Sequence, residues 1–77
     1  MRNKVKEVMA RVFGITVAEI SDEASAEKIE QWDSINHLIL VMTLEEEFGI
    51  QFDEHQIGEI INLELIIKAL QSRTSQK

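Results

Sequence analysis

From Asp33 to Gly49 the chain reads DSINHLILVMTLEEEFG. At about 100° per residue, its apolar side chains fall on two opposite sides of a single helix. Leu40, Val41, Leu44 and Phe48 share one arc; Ile35, Leu38, Ile39 and Met42 fill the other, with Glu46 among them. Asn36, Thr43 and Glu47 separate the arcs on one side and Glu45 on the other. Such a helix is either surrounded by neighbours or keeps one arc packed and leaves the other as an exposed apolar patch, the usual mark of a binding surface. The Phe48 arc is expected to face inward. Ile35, Leu38, Ile39 and Met42, rimmed by Glu45, Glu46 and Glu47, are expected to face a partner.

The flanking sequence is also helical in period. Val5, Val8, Met9, Val12 and Phe13 recur at i, i+3, i+4, i+7 and i+8, and Gly14 stops the run. Residues 15–33 have no sustained period; Ile15, Val17, Ile20, Ile29 and Trp32 are expected to pin this long loop onto the helices. A short extended piece over 50–52 leads to a helical turn around 54–61. Asn62 suits the N-cap of a last helix bearing Leu63, Ile66, Ile67 and Leu70, and the tail from Ser72 is expected to fray. Nothing alternates with period two. The expected fold is all-α: a four-helix bundle with three longer helices, a short third helix and a long loop between the first two, forming one domain over residues 1–77.

At 77 residues and 44% hydrophobic, the chain can build one small core, and its lack of cysteine excludes disulfides, thiolate metal sites and a cysteine nucleophile. No ligand spacing for a metal is visible. No apolar run is long enough to span a bilayer, and the N-terminal residues alternate charged with apolar side chains and lack the long apolar core of a signal peptide, so a cytoplasmic, monomeric protein without membrane insertion is expected. The net charge is −6, and between Glu19 and Glu59 all but one of the charged Asp, Glu, Lys and Arg residues are acidic, the exception being Lys28. That acidic middle repels nucleic acid phosphates and favours partners with basic surfaces.

Either Asp33 or Ser34 can cap the central helix. With Asp33 as the cap, the Ser34 hydroxyl is free at the positive helix end, where a phosphate would meet unpaired amides. Ser34 lacks the surroundings of a hydrolase nucleophile. There is no Gly-x-Ser-x-Gly elbow, His37 points to the inner arc as a structural residue, and His55 has no evident partner. No catalytic residue is assigned.

The Trp32-Asp33-Ser34-Ile35 run, followed by an amphipathic helix ending Leu44-Glu45-Glu46-Glu47-Phe48-Gly49-Ile50, resembles the acyl carrier protein family over nearly the whole chain. The resemblance implies that a phosphopantetheinyl transferase, with coenzyme A as donor, attaches 4'-phosphopantetheine to Ser34, flanked by Asp33. It implies that the arm's thiol carries acyl or aminoacyl groups as thioesters, and that loading and processing enzymes dock on the central helix through positions including Ile35, Leu38 and Met42. The carrier itself catalyses nothing. The commonest family triplet is Asp-Ser-Leu, and fatty acid carriers usually bear acids at the positions of Asn36 and Ile39. Trp32 and His37 match a Trp-Asp-Ser-Leu-x-His run common in discrete carriers of specialised pathways. The expectation is therefore an acyl carrier of a specialised lipid, polyketide or related pathway; the alternatives are an aminoacyl or peptidyl carrier, or an unmodified helical interaction domain.

Overall fold

The computed structural model describes residues 1–74, and four helices account for most of them: α1 (Arg2–Phe13), α2 (Ser34–Phe48), α3 (Glu54–Glu59) and α4 (Leu63–Thr74). A single 3-10 turn, Val17–Glu19, interrupts the long α1–α2 loop. Among the described residues there is no β-strand, only one isolated antiparallel bridge between Ser25 and Asn62. The all-α expectation holds.

Most of the helix boundaries have a local cause. Gly14 and Gly49 end α1 and α2 in the left-handed region, at φ 71° and 63°. A side chain there would be strained, which is why these two stops are glycine. Asp53 caps α3, accepting from the Gln56 amide at 2.8 Å while the Gln56 side chain accepts from the Asp53 amide. Asn62 caps α4 as expected, its Oδ1 accepting from the Leu65 amide at 2.8 Å. The third helix is shorter than expected, because Ile60 leaves helical geometry and turns its side chain into the core. The last is longer: α4 continues through Ser72 to Thr74, where fraying was expected, and Arg73 ties it to Asp53 and Gln56. Residues 75–77 of the expected frayed tail lie outside the described residues.

The core gathers Val5, Val8, Met9 and Phe13 of α1, Leu40, Val41 and Leu44 of α2, and Leu63, Ile66, Ile67 and Leu70 of α4. Ile20, Ala24, Trp32 and Phe52 join it from the connections. The inner arc of α2 packs as expected, with Phe48 half-buried against the cluster. The loop is pinned by Ile20 and Trp32, with Ile15 and Ile29 partly covered, but Val17 is exposed. Val17 occupies the 3-10 turn, whose three residues bury nothing. Backbone bonds do the remaining fastening. The Ala26 amide donates to the Ile61 carbonyl and the Leu63 amide to the Ala24 carbonyl, each at 2.9 Å, stitching the loop to the α3–α4 junction.

Charge closes the outside. Lys4 and Arg11 of α1 both reach Glu47 of α2, at 3.3 and 3.4 Å. Arg2 and Lys6 meet Asp22 of the loop, and Arg2 also meets Glu64 of α4 at 2.8 Å. The basic N-terminal segment thus answers part of the acidic middle of the sequence. Its cations hold the Glu47 carboxyl below its ordinary range, chiefly through the Lys4 hydrogen bond and then that of Arg11. Lys6, followed by Arg2, does the same for Asp22.

Candidate functional site

The mouth of α2 is organised by Asp33. Its Oδ1 accepts from the Asn36 amide at 2.9 Å and its carbonyl from the His37 amide at 2.8 Å. Asp33 is therefore the N-cap, and Ser34 occupies the first helical position. The Asn36 side chain donates back to the Gln31 carbonyl at 2.7 Å, fixing the approach of the loop. Ser34 is exposed, and its hydroxyl has no hydrogen-bond partner among the described residues. The amides of Ser34 and Ile35 lie at the helix start, ahead of the first intrahelical bond, and point outward with the positive end of the dipole.

Beside the serine is a cleft of about 430 Å³ lined by Trp32, Asp33, Ser34, His37, Leu38 and Ile57, among others. Its lining is mostly apolar side chains from the loop, α2 and α3. Trp32 is buried, its ring 5.3 Å from that of Phe13. The Trp32 indole N–H donates to His37 Nδ1 at 3.0 Å, which leaves the imidazole proton on Nε2 to be donated to the Ile57 carbonyl at 2.8 Å. Both ring nitrogens are occupied, so His37 is a structural residue, as its position on the inner arc indicated, and it has no lone pair left to activate Ser34. His55 is fully at the surface on α3, but it does have a partner: Glu59 one turn on, at 3.1 Å. The i,i+4 spacing made that pair legible in the sequence.

The second arc of α2 is open to solvent. Ile35 is 71% exposed and Met42 64%, with Leu38 and Ile39 exposed alongside them. Ile39, Met42, Thr43, Glu45 and Glu46 frame a shallow depression on the same face. The acidic rim is narrower than the sequence suggested. Glu46 projects freely, Glu45 uses one oxygen to accept from the Phe52 amide at 2.9 Å, and Glu47 is turned to Lys4 and Arg11. Neither engagement could be read from local spacing, since the partners come from outside the helix. Among the described residues no group of three or more His, Asp or Glu side chains is placed to hold a metal ion, and no helix is long and apolar enough to cross a membrane.

The family model described as the phosphopantetheine attachment site matches residues 3–70, from the first turn of α1 to the buried end of α4. The chain belongs to the phosphopantetheine attachment site family. Its resemblance to acyl carrier proteins is thereby borne out, and the group such a carrier holds covalently is 4'-phosphopantetheine. The mouth of α2 fits that group on its own geometry. It offers an exposed, internally unbonded hydroxyl, two outward amides able to face an anion, and an apolar cleft next to them. As members of this family, carriers work through a transferase and cargo-processing enzymes, and the exposed arc of α2 begins one residue beyond the serine.

Proposed function

We propose that Ser34 is the attachment residue and that the chain is an acyl carrier protein of a specialised biosynthetic pathway. The observation that carries the assignment is the freedom of the Ser34 hydroxyl at an α2 mouth whose cap is supplied by its neighbour. Because Asp33 takes the Asn36 amide, Ser34 has no capping duty and its oxygen stays available. The Ser34 and Ile35 amides and the helix dipole favour negative charge on that oxygen's substituent by about 0.3–1 kcal/mol. When bound, the arm supplies the terminal thiol that a chain without cysteine lacks. The base that takes the Ser34 proton has to come from the transferase, since His37 is committed on both sides.

Ile35, Leu38, Ile39 and Met42 form the apolar centre of the docking face, and Glu46 with the free oxygen of Glu45 its acidic edge. Partners would bring an apolar patch bordered by Lys or Arg. The uncharged Asn36 and Ile39 support a dedicated pathway over housekeeping fatty acid synthesis, with acyl rather than aminoacyl groups as its cargo. The protein acts as the substrate of its partners and performs no chemistry of its own.

The test is an intact mass. Incubation with a broad-specificity phosphopantetheinyl transferase, Mg²⁺ and coenzyme A should add one phosphopantetheine to the wild type and none to Ser34→Ala. A wild type that stays unmodified, or a Ser34→Ala variant that still gains the mass, removes the assignment. Mass spectrometry of the protein from its native cell then identifies the cargo class.

A further inference from the structure

His37 stands between the cleft beside Ser34 and the hydrophobic core. Going inward around α2 from Ser34, the next side chain is His37, and behind it are Leu40 and Leu44, both fully buried. Across the gap, Ile57 of α3 and Trp32 of the loop form the facing walls, and His37 is hydrogen-bonded to each, at 2.8 and 3.0 Å. The imidazole is a polar bar fixed at both ends. An apolar chain passing it toward the core would have to part both bonds, leaving the indole N–H of the buried Trp32 without its acceptor.

The bar also holds its own wall. The six residues of α3 bury none of their side chains fully. The helix is fastened by Ile60 just beyond its end, by the Arg73 bonds to Asp53 and Gln56, and by the His37 bond to Ile57. Swinging α3 outward to admit a long chain therefore opens the same bond that blocks the way.

We propose that His37 is a specificity-determining residue that sets how deeply tethered cargo can enter, keeping cargo attached through Ser34 at the protein surface whatever its chain length. The proposal rests on Ser34 being the attachment residue. The open cleft of about 430 Å³ then receives only the segment nearest the linkage, and the carrier suits short or polar acyl groups that its partners must reach without extracting them from a core.

The experiment loads the protein with butyryl-, octanoyl- or palmitoyl-phosphopantetheine, using a broad-specificity transferase and the matching acyl-coenzyme A, with complete loading confirmed by intact mass. Two quantities are read on each form: hydrogen exchange of the indole N–H of Trp32, the only tryptophan in the chain, and the half-life of the thioester in hydroxylamine. In the wild type both should stay constant within about twofold from butyryl to palmitoyl, because the local opening that governs exchange is unchanged. In His37→Leu the thioester half-life should rise with length by roughly tenfold or more, since each methylene withdrawn from water favours the sheltered form. His37→Gln, which can still donate and accept, should restore length independence. If His37→Leu fails to fold, the wild-type series decides alone. A palmitoyl thioester sheltered tenfold in the wild type, or a Trp32 indole freed by palmitoylation, overturns the bar while leaving Ser34 as the attachment residue. Absence of any mass gain overturns both.

Discussion

Leu44 and Met42 lie two residues apart on α2 and should respond to truncation in opposite ways. Leu44 is fully buried in the hydrophobic core, and Met42 is 64% exposed. Leu44→Ala removes the transfer energy of three carbons and leaves a void, costing about 2–5 kcal/mol. At about 0.05–0.15 kcal/mol per residue, a chain of 77 residues has about 4–12 kcal/mol of stability in total. The variant therefore spends a large share of it, and its Tm should fall by about 8 °C or more, at about 4–8 °C per kcal/mol for a domain of this size. Met42→Ala removes a side chain that is mostly in water and installs the best helix former, so stability should stay within about 0.5 kcal/mol. Its effect belongs to docking: KM for the transferase should rise about fivefold, roughly 1 kcal/mol, with kcat unchanged. Thermal unfolding followed by circular dichroism and steady-state kinetics of arm transfer measure the two halves. Equal destabilisation by both variants would mean that the outer arc is packed. An unchanged KM would mean that the arc is bare but unused.

Asp33→Ala should cost about 1 kcal/mol in thermal unfolding through loss of the cap, whereas Asp33→Asn should stay within about 0.5 kcal/mol of wild type. Gly49→Ala, forced to φ 63°, should cost about 1–2 kcal/mol although no atom lies within 4 Å of the added carbon. Gly58→Ala, inside α3 and equally uncrowded, should instead stabilise by about 0.4–1 kcal/mol in the same assay. Lys4 and then Arg11 lower the folded value for Glu47, as Lys6 and then Arg2 do for Asp22, so this stabilisation is present above the ordinary values of 4.5 and 3.8 and is lost as pH falls through and below them. Urea midpoints across that acidic range should therefore decline less steeply for Glu47→Gln than for wild type. Association with the transferase, followed by stopped flow, should slow as salt rises from low to physiological concentration, and Glu46→Gln should flatten that dependence.

Much of this arrangement is written locally. The 3.6-residue period marked α1, α2 and α4, and Gly14, Gly49 and Asn62 announced three of the boundaries, because those features depend only on near neighbours. The inward turn of the Phe48 arc was also legible, as was the placement of His37. What sequence could not supply were the meetings between distant segments. Nothing near Glu47 signals that α1 brings Lys4 and Arg11 to it, so local spacing offers three acids for the rim where the structure leaves Glu46 and one oxygen of Glu45. The reach of His37 to a backbone carbonyl of α3 has no side-chain signature, since any residue at Ile57 would offer the same oxygen. Val17 was misjudged because hydrophobicity alone says nothing about a turn that buries none of its residues.

The pairing of Ala24 and Ala26 with Leu63 and Ile61 divides the longest connection in the molecule into two spans anchored at a common seam. Each span is short enough that closing it costs little, since the entropy of closure grows only logarithmically with length. Added residues between Thr16 and Glu23 would lengthen the first span alone. The second, running from Ala26 through Trp32 to the mouth of α2, would keep both of its moorings, so an insertion in the first span would leave Ser34 where it is.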